Sequence, residues 1–398
     1  MSAMKRLFQV MAEKKASDIF MSVGAPINIK INGVAIPVNQ TVMTPEAVKQ
    51  LLYEVLNEKQ IREYEEEMEL NTAFAMEGVG AFRISAFRQK GTPAVVVRYI
   101  PGSVPAFDTL GLPDVLKEII MQKRGLILMV GATGSGKSTS LSAMLDFRNE
   151  QKSGHILTLE DPVEFIFKNK KSIVNQREVG TDTKAFEVAL KNALRQAPDC
   201  ILIGEIRDKS TMGMALAYAQ SGHLALATLH ANNSYHAMNR IISFYPLENR
   251  PTLLLDLSAA LQAVISQRLV RTKKGARRAS VEVLLNTRHI AELIEKGEIN
   301  EIKDAMEKSM APGSQTFEQA LFKMFMEGDI SQEECMTNAD SATNMLWLIN
   351  QATAGSMSMG GTTAAPEPKK EEEKKKEGVL AGAGGGASFS DFKIDMNA

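Results

Sequence analysis

One short segment limits the possible folds of this chain more than any other. Residues 131 to 138 read Gly-Ala-Thr-Gly-Ser-Gly-Lys-Ser, directly after the apolar run Leu126 to Val130 and before a helix-forming stretch. This fits the pattern G-x-x-x-x-G-K-[ST] in the strand-then-helix setting the pattern requires. Its glycines let the backbone wrap an anion without a Cβ in the way. Backbone N–H groups and the N-terminus of the next helix then present positive charge to phosphates. Gly131, Thr133, Gly134, Ser135, Gly136, Lys137, Ser138 and Thr139 are the candidate nucleotide contacts. Lys137 is expected to reach the β- and γ-phosphates of ATP, and the Ser138 hydroxyl to ligate Mg²⁺.

A phosphate cradle alone does not hydrolyse ATP; carboxylates are needed at the same sheet edge. Two apolar strands deliver them. Ile156 to Leu159 runs into Glu160, Asp161 and then Glu164, and Cys200 to Ile203 runs through Gly204 into Glu205. Open α/β sheets bind ligands at the C-terminal ends of their strands. An acid there holds the water shell of Mg²⁺ or orients the attacking water. Three acids crowd the first segment, and the residues alone leave open which is the base. A third apolar run, Leu224 to Leu229, is bracketed by His223 and His230. His230 follows the strand, so it shares an edge with Glu205 and is expected to sense the γ-phosphate. A metal site on the two histidines lacks a third ligand at suitable spacing.

The pattern around these motifs sets the architecture. From about residue 114 to 285, short apolar runs alternate with helical segments, as in the α/β class with a parallel sheet covered on both faces. Residues 1–100 read as a smaller α+β domain. A helix is expected near Met4 to Lys14, and Ile27 to Ile31 alternates with period two before Asn32-Gly33, a hairpin signal. Thr44-Pro45 opens a second helix, and strand-like runs follow around Ala73, Ala81 to Phe87 and Ala94 to Ile100. Prolines 101, 105 and 113 mark a linker over 101–113. Residues 286–351 look helical. Residues 352–398 are rich in Gly, Ala, Lys and Glu and hold little apolar surface to offset ordering, so a disordered tail is expected.

Charge and cysteine usage exclude other classes. The chain has 46 Lys and Arg against 47 Asp and Glu, and the tail is itself nearly neutral, so no basic body is masked. That argues against a nucleic-acid partner. The basic stretch Arg271 to Arg278 reads as a solvated hairpin around Gly275. Cys200 and Cys335, the two cysteines, lie far apart and fit a reducing compartment. The longest apolar runs are about five residues, against roughly 18 for a bilayer span. The charged start lacks the apolar centre of a signal peptide. A cytoplasmic protein is expected, touching membrane only through a partner.

Together the four segments resemble the secretion-type ring ATPases of type IV pili and type II secretion, where they are called Walker A, Asp box, Walker B and His box. The resemblance spans roughly residues 15–350 and includes ASDIFMSVGAPINIKING, GVGAFRISAFRQ, VVVRYIP, VNQREVG and VISQRLV. Within that group it leans towards the twitching-motility retraction ATPases, the PilT/PilU family, and by its extended tail towards the PilU branch. The resemblance implies a PAS-like N-terminal domain before a RecA-like ATPase core, and Mg²⁺-dependent ATP hydrolysis coupled to mechanical work. It also implies a homo-oligomer, a hexameric ring, at the cytoplasmic face of the inner membrane. There it would meet a platform protein of the pilus and a related retraction ATPase. Glu164 would polarise the attacking water and Glu205 would stand at the Mg²⁺ water shell. His223 and His230 would sense the nucleotide. Arg83 and Arg98 would act as arginine fingers across a subunit boundary.

The chain departs from the family in one place. Where PilT-type members carry A-I-R-N-L-I-R-E, it has His289-Ile-Ala-Glu-Leu-Ile-Glu-Lys296, with Ala291 and Glu295 in place of the arginines. That points to a motor that assists rather than acts alone. The alternatives are a pilus extension or type II secretion ATPase, whose Cys-x-x-Cys zinc element is missing here, and a mainly regulatory ring subunit.

Overall fold

Helix α1 (Ala3–Glu13) buries Met4, Phe8 and Met11, an i, i+4, i+7 stripe that fixes which face meets the first sheet. The computed structural model describes residues 2 to 357, apart from residues 32 and 77. Strands β1 (Asp18–Ser22), β2 (Pro26–Ile31) and β3 (Val34–Val42) follow. The β2–β3 hairpin pairs Ile31 with Val34 and turns at Gly33, whose φ is +87°. Thr44 caps α2 (Pro45–Tyr53), with Pro45 in its first turn. Helix α3 (Glu58–Glu67) leads to β4 (Glu69–Met76), β5 (Gly80–Gln89) and β6 (Thr92–Pro101). These strands form an antiparallel sheet in the order β3-β2-β1-β6-β5-β4. Phe8 stacks on Phe82 across its core, ring centroids 4.0 Å apart.

The proline-rich linker is not merely extended chain. Phe107 and Leu112 are buried in the next core, and Phe107 packs on Phe147. Beyond it come α4 (Val115–Ile120), β7 (Gly125–Val130), α5 (Lys137–Gln151), β8 (Gly154–Glu160) and β9 (Ser172–Glu178). Then follow α6 (Phe186–Ala193), β10 (Cys200–Ile203), α7 (Lys209–Gln220), β11 (Leu224–Leu229), α8 (Ser234–Ser243) and α9 (Arg250–Ala260). Strands β12 (Leu261–Arg271) and β13 (Arg277–Leu285) close the second sheet. Its order is β13-β12-β7-β11-β10-β8-β9, parallel except for the β12–β13 hairpin.

Alternate residues of the central strands feed two apolar cores. Leu126 and Leu128 face one, and Ile127 and Met129 the other. Burial on both faces is why these strands read as continuous apolar runs. The basic stretch is the β12–β13 connection, with Arg271 opposite Arg277 and Gly275 at φ +80°.

The last helices are α10 (Arg288–Lys296), α11 (Ile302–Glu307), α12 (Phe317–Met326), α13 (Gln332–Asn338) and α14 (Ala342–Met357). Helices α12 to α14 pack around Phe317, Leu321 and Met345, together with Val270 of β12, whereas α10 and α11 bury Ile290, Leu293, Ile294, Ile302 and Met306 in the core of Leu126 and Leu128. Arg268 of β12 lies over the Phe317 ring at 3.9 Å and pairs with Asp340. Residues 1–350 form one compact unit. The tail boundary expected at 352 falls inside α14, which runs to Met357. The rest of the expected disordered tail, 358–398, lies outside the described residues.

Candidate nucleotide site

Strand β7 ends at Val130, and the chain then folds back on itself through Gly131, Gly134 and Gly136, at φ +155°, +78° and +85°. Strand β12 backs this loop. A Cβ on Gly131 would stand 2.6 Å from the Gln267 carbonyl, and one on Gly136 would stand 2.8 Å from Gln267 Nε2. The Gln267 amide donates to the Ser135 carbonyl at 2.8 Å. Lys137 opens α5 and is buried, its ammonium donating to the carbonyls of Gly131 (2.7 Å) and Ala132 (2.9 Å). Burial pulls its pKa down, while Glu205 and Glu164 hold it up.

A cavity of about 570 Å³ lies beside the loop. Thr133, Gly134, Gly136, Lys137, Ser138 and Thr139 enter it from the loop and α5, Glu160 from the last position of β8 and Glu164 from beyond it, Glu205 from beyond β10 and His230 from beyond β11. Gly131 and Ser135 shape the loop from behind; the Ser135 hydroxyl is buried against Gly131 and has no partner among the described residues. The close approach of β8 and β10 positions Glu205, since a Cβ on Gly204 would lie 3.0 Å from the Leu159 carbonyl. Glu205 accepts from Arg207 Nε at 2.7 Å and lies 3.5 Å from His230 Nε2.

The three acids at and just after the end of β8 separate by environment. Glu160 is buried and takes the Thr158 hydroxyl at 2.7 Å; desolvation raises its pKa. Asp161 faces Arg207 at 3.6 Å. Glu164 is exposed and lines the cavity. Ser138 and Glu205 supply a hydroxyl and a carboxylate, the hard oxygen donors that suit Mg²⁺. Among the described residues no group of three or more His, Cys, Asp and Glu could hold a metal by itself. An ion here would complete its shell with nucleotide oxygens and water.

Three expected site residues lie outside the cavity wall of the single chain. His223 precedes β11, so the strand carries it to the edge opposite His230, about 20 Å away at the usual rise per residue. Its ring accepts or donates to Ser221 Oγ at 3.0 Å and packs edge-on against Tyr218. It therefore does not line the cavity of its own chain. Arg83 and Arg98 were expected to need a second subunit. Within its own chain Arg83 donates to the Val163 carbonyl at 3.4 Å. Burial lowers its pKa, and Glu178 and Glu164 oppose that shift. Arg98 pairs with Asp18 at 3.0 Å on the neighbouring strand and is absent from the cavity wall. Sequence reasoning missed Gln267, Gln176 and Glu178, which contact the loops from flanking strands.

A family model described as "Type II/IV secretion system protein" matches residues 2–337. The chain belongs to that family. Among its relatives in this secretion family, the type IV pilus ATPase PilU of Pseudomonas aeruginosa is 47% identical over 87% of this chain and 91% of that protein. The type IV pilus retraction ATPase PilT of the same organism is 39% identical, covering 84% of this chain and 97% of that one. A crystal structure of the pilus retraction motor PilT with bound ADP is similar at TM-score 0.80 and 38% identity, over 86% of this chain and 98% of that one. The Legionella pneumophila ATPase DotB is similar at TM-score 0.72 and 27% identity, over 83% of this chain and 94% of that one. Among the described residues no helix is long and apolar enough to cross a membrane. The segment where this family member departs from the arginine-bearing motif forms α10. Its apolar positions Ile290, Leu293 and Ile294 are buried, while Glu295 is exposed.

Proposed function

We propose that this chain is an Mg²⁺-dependent ATPase of the type IV pilus machinery, and that its hydrolysis powers or assists pilus retraction alongside a related retraction ATPase. The observation that carries this reading is the convergence of Lys137, Ser138, Glu164, Glu205 and His230 on one cavity from separate elements. The loop amides and Lys137 bind the phosphates, and Glu164 takes the proton of the attacking water. His230, held beside Glu205, responds to the γ-phosphate. Mg²⁺, held by Ser138 and through water by Glu205, would neutralise charge on the β- and γ-phosphates. Arg83 stands close enough to the Glu164 segment to add positive charge there from the same chain.

The names of the relatives support a pilus function, and the match over nearly all of PilU and PilT supports a whole motor. We take the working form to be a hexameric ring, since head-to-tail contacts close into rings when the rotation allows. The ring would sit in the cytoplasm against an inner-membrane platform protein, without nucleic acid. The antiparallel sheet order of the N-terminal part supports a PAS-like class, followed by a RecA-like core. We assign residues 1–100, 101–113, 114–285 and 286–351 as its working divisions. In α10 the buried apolar face remains, but Ala291 and Glu295 remove two cations. Glu repels an acidic partner that Arg would hold.

Purified chain should hydrolyse ATP only with Mg²⁺. Lys137→Ala should lose binding and turnover, and Glu164→Gln should bind ATP yet turn over at least about 100-fold more slowly. Unchanged rates in both variants would refute the site. Pilus retraction in cells whose only retraction ATPase is this chain tests the assisting role; full-speed retraction would refute it.

A further inference from the structure

The segment that carries Glu164 into the cavity has its backbone tied on both sides of that residue. The Val163 N–H donates to Glu178 Oε2 at 3.0 Å, and the Val163 carbonyl accepts from Arg83 Nη2 at 3.4 Å. The Phe165 carbonyl accepts from Gln176 Nε2 at 2.8 Å, and the Phe167 N–H donates to Gln176 Oε1 at 2.9 Å. Two of these partners, Gln176 and Glu178, lie two residues apart on β9 and so point to one face of the strand. Glu178 is itself held in place. Its Oε1 accepts from Thr181 Oγ1 at 3.2 Å, and its backbone N–H donates to Asp182 Oδ2 at 2.8 Å.

From this geometry we infer that Gln176 and Glu178 are positioning residues for Glu164. They fix the peptides on either side of it, so that its carboxylate is aimed before ATP and water arrive. The inference rests on the reading of Glu164 as the base. It goes beyond that reading by giving β9, at the edge of the sheet, a part in turnover. Displacing a reacting group by about 1 Å can cost about 100-fold in rate, and side-chain bonds to the flanking peptides suppress such displacement. Bonds that served only to cover an edge strand would have no reason to concentrate on the residues beside the base. Arg83 grips the same Val163 residue from the N-terminal sheet, so that sheet's position bears on the aim of Glu164 as well.

The test is steady-state ATP hydrolysis by the full chain. Glu178→Ala should lower kcat about 10- to 100-fold while KM for ATP moves less than about threefold. Glu178→Gln should recover most of the rate, because its amide oxygen still accepts from the Val163 N–H. Gln176→Ala should repeat the kcat-only loss. In a Glu164→Gln background, Glu178→Ala should add less than about twofold, as expected of residues that act through one another. A kcat within about threefold of wild type in both alanine variants overturns the inference. So does a full repeat of the loss in the Glu164→Gln background, or a KM that rises in step with the loss. If Glu178→Ala melts early, Glu178→Gln and Gln176→Ala carry the test. An inactive wild type would overturn both this inference and the ATPase reading; an active wild type with unresponsive variants overturns this inference alone.

Discussion

Gly136→Ala tests the phosphate loop where it presses hardest on its own fold. The residue sits at φ +85°, where an L side chain costs about 1 to 2 kcal/mol. The new Cβ would also meet Gln267 Nε2 at 2.8 Å. That nitrogen donates to the Ser135 carbonyl, so either the glutamine leaves its bond or the loop shifts. Losing a buried neutral hydrogen bond costs about 1 kcal/mol. Together these predict a loss of about 2 to 3 kcal/mol, small enough to leave the chain folded against a usual stability of about 5 to 15 kcal/mol. Urea melts followed by circular dichroism measure it. A Gln267→Ala background separates the two contributions. There, Gly136→Ala should cost only the backbone share, about 1 to 2 kcal/mol. Binding of a fluorescent ATP analogue should fall at least about tenfold, because the loop amides turn away from the phosphates. An equal cost in both backgrounds, or binding within about twofold of wild type, would refute the reasoning.

The two N-terminal arginines should separate in the same assays. Arg98→Ala deprives buried Asp18 of its cation; because the arginine is exposed, the loss should be about 1 kcal/mol of stability. Arg83→Ala should leave stability unchanged and lower kcat; the reverse result would contradict the geometry. Glu282 is buried and accepts from the Ser234 N–H (2.7 Å) and the Ser266 hydroxyl (2.9 Å). Burial, with Asp340 adding to it, raises its pKa above the ordinary 4.5. The fold therefore favours its protonated form. The stability this gives is complete below the ordinary value and is lost as pH rises through the folded one. Glu282→Gln cannot ionise, so its melting temperature should gain on wild type as pH rises from about 5 to about 8; a pH-independent difference would refute this.

The sequence made the central site legible for a physical reason. Strands buried on both faces read as apolar runs, and each run ends on the residue that faces the ligand. Glu205 and His230 were placed by that rule alone. The same rule puts His223 before its strand and therefore at the far edge. Strands β9 and β12 were harder to see. β9 follows buried Ser172 with exposed and half-buried positions in SIVNQRE, and β12 carries Gln267 and Arg268 amid its apolar residues. Their polar side chains are there to bind loops and helices, and a pattern of hydrophobicity does not register that. The reach of Arg83 depends on how two sheets meet, which no local pattern encodes.

Strand β12 reads two neighbourhoods in alternation. Gln267 and Leu269 lie against Gly136, while Arg268 lies over Phe317 and Val270 joins the core of α12 to α14. Inserting or deleting one residue would exchange the two sets, detaching the phosphate loop and the last helices in a single step. The change of pattern near residue 285 is thus a poor place to join halves of different relatives. A chimera that takes its helices from one parent must take β12 and β13 from the same parent, and with them the backing of the phosphate loop. Turnover would then follow the donor of the helices as much as the donor of Lys137.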